Sequence, residues 1–154
     1  MTETHRINSQ LKRSQEGQAW HGPSLHELLD GVTAEQAGAR PIPNAHSIWE
    51  LVNHIITWEQ IALRRLEGEG QLEIPDEINF PPAPDASESA WQDTLQSLKE
   101  SHRTLREGIK KIDDARLEEI PSGTSYSFYV LLHGVIQHNL YHAGQIALLK
   151  KAIR

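Results

Sequence analysis

Apolar residues recur at three- and four-residue spacing in four stretches of this 154-residue chain, separated by segments rich in proline, glycine and capping side chains. Such spacing lines up one face of a helix and turns it toward a core. Leu25, Leu28 and Leu29, between Gly22-Pro23 and Gly31, predict a first, short helix starting near Ser24. Arg40-Pro41-Ile42-Pro43-Asn44 is a connector, because each proline biases the residue before it away from the helical region. Ser47-Ile48-Trp49-Glu50 then fits a capping box, and Leu51, Val52, Ile55, Trp58, Ile61, Ala62 and Leu66 carry a second helix as far as Gly68 and Gly70.

Pro75, Pro81, Pro82 and Pro84 exclude a regular helix from residues 71–84 and predict an ordered crossing loop. Asp85, Ser87 and Ser89 offer caps for a third helix, which runs through Trp91, Leu95, Leu98, His102, Leu105 and Ile109 with basic residues on its other faces. A polar connector and Pro121-Ser122-Gly123 lead to a last helix from about Ser127 to Lys151, ending in lysines that suit its C-terminal dipole. Four helical segments without a strand pattern or an internal repeat predict an all-α fold, a four-helix bundle in one domain over residues 1–154. The connector between the second and third helices is long for neighbours in an up-down bundle and suits a crossover. Residues 1–18 form a polar N-terminal segment for which the pattern leaves a helix and a mobile tail both open.

Composition narrows the chemistry. There is no cysteine, which removes disulfides, thiolate zinc sites and cysteine nucleophiles, so any metal must be held by nitrogen and oxygen. A net charge of −6 and the lack of a long basic run argue against nucleic acid as a partner. Neither a signal-peptide core nor a run of 18 apolar residues is present, so no membrane association is expected and the cytoplasm is the expected location.

Nine histidines stand in the chain, and their placement matters more than their number. His138 and His142 are four residues apart in the last helix, on the stripe that contains Leu131, Val135, Gln145 and Leu149. His54 shares the inward stripe of Leu51, Ile55, Trp58 and Ala62 on the second helix. Three imidazoles from two facing helices could hold one ion and leave positions open, as catalytic sites do. Buried histidines also serve as hydrogen-bonded core residues, so spacing alone leaves both readings open. The paired Glu-x-x-His units of di-iron bundles are absent, and His26-Glu27-Leu28-Leu29-Asp30 has aspartate where a zincin needs its second histidine. His26 and Glu27 are therefore expected on the surface, as are His5 and His102.

Three blocks carry a resemblance: Trp20-His21-Gly22-Pro23-Ser24-Leu25, His46-Ser47-Ile48-Trp49-Glu50-Leu51-Val52-Asn53-His54-Ile55 with Trp58-Glu59, and His133 through Ile146. Together they resemble the DinB-like family, also called the YfiT-like metal-dependent hydrolases, over nearly the whole chain. The resemblance implies a four-helix bundle with a crossover, a divalent metal, usually zinc or nickel, and often a homodimer. Carried over by position, the metal ligands are His54, His138 and His142. Members with known activity include S-transferases and an isomerase that use low-molecular-weight thiols, so a thiol cosubstrate is a further expectation here.

Around the trio, His21 could approach the open metal face as a proton carrier or could simply pack at a helix start. Glu50 and Glu59 could orient imidazole N–H groups, although for Glu50 the capping role is simpler. Gln145 shares the ligand face. His46 and His133 are expected to pack or solvate, and Trp49, Trp58 and Trp91 to pack in the core or an interface. The expected function is a metal-dependent hydrolase or thiol S-transferase acting on a small-molecule substrate. The alternative is a non-catalytic, metal-stabilised bundle that acts as a binding or stress-response protein.

Overall fold

Among the described residues, seven of the eight helices begin at a Ser, Thr or Asp whose side chain accepts an amide proton of the first turn, so the sequence marks its own helix starts. The computed structural model describes residues 1–70 and 72–153. In chain order the helices are α1 (Glu3–Glu16), α2 (Leu25–Leu29), α3 (Ala34–Gly38), α4 (Ile48–Leu66), α5 (Asp76–Asn79), α6 (Glu88–Lys110), α7 (Asp114–Leu117) and α8 (Phe128–Ala152). No strand occurs among the described residues; one isolated bridge, Ala19 to Gly22, closes the turn after α1. The chain is an all-α bundle of α1, α4, α6 and α8, with the short helices at its ends and flank.

The first long helix is α1, which corrects the expectation that the bundle opens with the short helix at Leu25. Only Ile7 and Leu11 are large apolar residues on its inward face, joined there by Thr4, Ser14 and Gln15, so the buried stripe is drawn mostly by polar side chains. Tertiary structure supplies what the pattern lacks. Asp114 accepts hydrogen bonds from the Glu3 and Thr4 amides at 2.9 Å, capping α1 from the far end of the chain.

Helices α4 and α6 are close neighbours. Trp49 Nε1 donates to Thr94 Oγ1, Ser101 Oγ donates to Glu59, and Gly108 lies under Leu63, so contacts climb both helices together and the two run in the same direction. The segment joining them therefore returns along the bundle. Within it, Pro75 precedes the one-turn helix α5, a piece of regular structure that the four prolines gave no reason to expect.

The core has two apolar clusters. One gathers Leu25, Ile48, Trp49, Ile55, Trp91, Leu98 and Ile146; the other gathers Ile7, Leu11, Leu105, Ile109, Phe128 and Leu132. Trp49 and Trp91 are core residues as expected, and each indole N–H is satisfied, the second by Val32 O at 2.7 Å. Glu59, Ser101, His102, Gln15 and Asn139 form a buried polar layer that belongs to neither cluster. His102 was expected on the surface and is 0% exposed. His26 is likewise half-buried, its ring 5.0 Å from that of His102. Both corrections have one cause: α1 and α2 cover the face of α6 that looks solvent-facing when α1 is not counted.

Candidate metal centre

The α4 capping box sets the phase of its helix: Ser47 Oγ accepts from the Glu50 amide and Glu50 Oε2 accepts from the Ser47 amide at 2.8 Å. With the start fixed, His54 falls on the side of α4 that meets α8 and is 5% exposed. His142 is equally buried, and His138, one turn earlier, is half-buried at the rim. The structure brings these three rings together. Nε2 of His138 lies 2.9 Å from Nε2 of His54 and 3.1 Å from Nε2 of His142.

Hydrogen bonds at the far side of two rings decide what those atoms are. His54 Nδ1 faces the backbone oxygen of Asn79 at 2.6 Å, and an oxygen can only accept, so Nδ1 carries the proton. His142 Nδ1 stands in the same relation to Gln145 Oε1 at 2.6 Å. Both Nε2 atoms are therefore bare lone pairs. His138 Nε2 can donate a single proton, which satisfies one of its two close nitrogen contacts and leaves the other lone pair facing it without a donor. A cation between them resolves this. Ligand nitrogens about 2.0–2.1 Å from a zinc-like ion at tetrahedral to octahedral angles stand about 2.9–3.4 Å apart, a range that both close contacts of His138 meet.

Protonation does not compete for the site near neutral pH. Burial pushes the His54 imidazole down to about 4 and that of His138 down to about 3, with neighbouring imidazoles adding to the effect and the Asn79 hydrogen bond opposing it at His54. Burial also holds His142 below its ordinary value. Among the described residues no other group of three metal-binding side chains converges.

The segment after α4 closes one side of the centre. Phe80 is stacked between two imidazoles, 3.9 Å from the His54 ring and 3.8 Å from the His46 ring. Trp58 Nε1 donates to Asn79 Oδ1 at 2.9 Å, and Asn53 Nδ2 donates to the backbone oxygens of Pro81 and Pro82. Asn79 and Phe80 were not singled out from the sequence. A backbone acceptor in a proline-rich stretch leaves no side-chain signal, and only the return of the chain across α4 brings it to His54.

The remaining expectations divide. Gln145 lies where its shared helix face suggests, on His142. Glu50 completes the capping box, pairs with Arg40 at 2.6 Å and approaches His46 at 3.6 Å, so it is engaged in holding the start of α4. His21 is exposed in the turn after α1 and makes no hydrogen bond or ring contact with the trio among the described residues. Glu59 does orient an imidazole, but it is the buried ring of His102. His133 is half-buried beside Tyr129, and His5 is exposed.

No described helix is long and apolar enough to cross a membrane. Comparison with curated proteins and with solved structures finds no match. The family models do. A helical bundle with a buried three-histidine cluster agrees with the match found over residues 19–146, and the chain belongs to the DinB superfamily.

Proposed function

We propose that the protein is a divalent-metal-dependent enzyme that acts on a small molecule by hydrolysis or by thiol S-transfer. The observation that carries this reading is the convergence of three Nε2 atoms, two of them held without a proton, between α4 and α8. Three protein ligands leave coordination positions for substrate, whereas a purely structural site is closed by a fourth. Zinc or nickel is the proposed ion, since neutral imidazole suits both. When bound, such an ion acts as a Lewis acid and lowers the pKa of a coordinated water or thiol toward neutrality.

The chain's own residues do the rest. His54, His138 and His142 hold the ion, Asn79 and Gln145 keep the Nδ1 protons in place, and Phe80 and Trp58 exclude water from one side. Because the chain has no cysteine, S-transfer takes its sulfur from a low-molecular-weight thiol cosubstrate. That fits the reducing cytoplasm expected for this chain.

Metal analysis of protein purified without a polyhistidine tag, beside the His138→Ala variant, is the first test. One equivalent of metal in the wild type and none in the variant supports the reading; a metal-free wild type after reconstitution overturns it. Panels of esters and of electrophiles offered with low-molecular-weight thiols then test turnover. If removing metal lowers only the melting temperature and no panel shows metal-dependent turnover, the protein is a metal-stabilised bundle instead.

The expected homodimer belongs to this reading as well, through the outward face of α8. Val130, Tyr141 and Leu148 lie there at helical spacing, 53%, 67% and 63% exposed. From Phe128 to Leu149 the helix carries no Asp, Glu, Lys or Arg, so a second copy could cover this face without burying one of those charges. Sedimentation of the wild type against Tyr141→Glu checks it: a dimer that becomes a monomer is the expected result.

A further inference from the structure

The polar layer between the two apolar clusters converges on one carboxylate. Glu59 is 1% exposed and takes hydrogen bonds from all three of the other long helices. Its Oε1 accepts from Gln15 Nε2 of α1 at 2.8 Å and from Asn139 Nδ2 of α8 at 3.0 Å. Its Oε2 accepts from Ser101 Oγ and His102 Nδ1 of α6 at 2.9 and 2.7 Å.

Two of these residues are adjacent in sequence to the candidate metal centre or close to it. Glu59 follows His54 by five residues on α4, and Asn139 directly follows His138 on α8. The three ligands come from these same two helices, so their spacing depends on how α4 and α8 are aligned lengthwise. A site of this kind needs its ligands held to about 0.5 Å. The apolar contacts above and below constrain that alignment by shape but contribute no directed bond. Among the described residues, Glu59 to Asn139 is the one directed side-chain bond between α4 and α8 outside the histidine cluster itself.

We propose that Glu59 is a positioning residue for the metal centre, fixing α4 against α8 through Asn139 so that His54 meets His138 and His142. This rests on the metal-centre reading. Glutamine at position 59 can keep the layer: its oxygen replaces Oε1, and its amide faces Ser101, whose hydroxyl can rotate to accept, and His102, which can change tautomer. Leucine has similar bulk and no directed bond.

The test measures cobalt(II) binding by competition with a chelator and records the visible d–d spectrum, whose bands report ligand geometry rather than stability. If wild type takes up no cobalt or zinc, the metal-centre reading itself fails. With wild type binding, Glu59→Leu should bind about 10–100-fold more weakly and with shifted bands. Glu59→Gln should recover most of the affinity and the wild-type spectrum. Should Glu59→Leu not fold, Asn139→Leu, which removes only the α4–α8 bond, decides by the same criteria. Leu105→Ala in the lower apolar cluster is the control and should lose stability while keeping affinity and spectrum. The proposal is overturned if a folded Glu59→Leu or Asn139→Leu binds cobalt like the wild type, or if Leu105→Ala weakens binding as much as they do.

Discussion

The backbone oxygen of Asn79 accepts a hydrogen bond from His54 Nδ1–H at 2.6 Å, so the tautomer of a candidate ligand on α4 is set by the segment that leaves α4 and returns along the bundle. Phe80, the next residue, covers the same ring at 3.9 Å. On the proposed metal-centre reading, metal affinity and the order of this segment are coupled. Phe80→Ala should weaken metal binding about 10-fold, as loss of an outer partner commonly does. Limited proteolysis should cut the variant within residues 72–84 faster than the wild type, and metal should slow cutting of the wild type. Equal cleavage with and without metal would separate the segment from the site.

Gln145 accepts the corresponding proton of His142 at 2.6 Å. Gln145→Leu removes the acceptor without touching a ligand, and a free Nδ1 can then lose its proton to the wrong tautomer. We expect affinity to fall about 10-fold, with one equivalent still bound at saturation. Isothermal titration with zinc distinguishes this from loss of the site.

Metal that binds only the folded chain must stabilise it. At about 100 times the dissociation constant the gain is about 2.7 kcal/mol, visible as a rise in melting temperature. The His142→Ala variant should melt at the same temperature in zinc and in chelator. A rise of wild-type size in that variant would mean the ion sits elsewhere.

Acid should destabilise the metal-free protein, with His26 as one contributor. Burial, reinforced by the adjacent His102, holds its imidazole at about 4 when folded, whereas in the unfolded chain it titrates near its ordinary value of about 6.5. Between those values unfolding takes up a proton, so stability is intact above pH 6.5 and declines as pH falls toward 4. His54 and His138 act in the same direction. His26→Gln should flatten the decline by up to about one proton, which denaturant unfolding in chelator at several pH values would measure. A slope unchanged by the substitution would show that His26 is free to charge in the folded state.

Ser47 Oγ caps α4 and thereby sets the helix phase that places His54. Ser47→Ala should lower stability by about 1 kcal/mol, as lost N-caps do. Denaturant midpoints check this, and a loss well under about 0.5 kcal/mol would mean that Glu50 alone holds the helix start.

The amphipathic stripes of α4 and α6, the long apolar run of α8, their serine caps and the inward placement of His54, His138 and His142 were all legible in the sequence. They depend on spacing within one helix, and 3.6 residues per turn converts spacing into direction. Helix α1 was not legible, because only two large apolar residues mark its inward face and polar side chains complete it. His102 was misjudged for the same reason: its burial comes from α1 and α2, which are remote in the chain.

Histidine spacing determined which side chains could share an ion, and composition excluded cysteine from the set. That His54 Nε2 carries a lone pair was decided only by tertiary structure, through the Asn79 oxygen, whereas Gln145 stands one turn from His142 on the same helix. A helix face follows from local backbone geometry. A tautomer and a lengthwise alignment follow from what distant parts of the chain place against it.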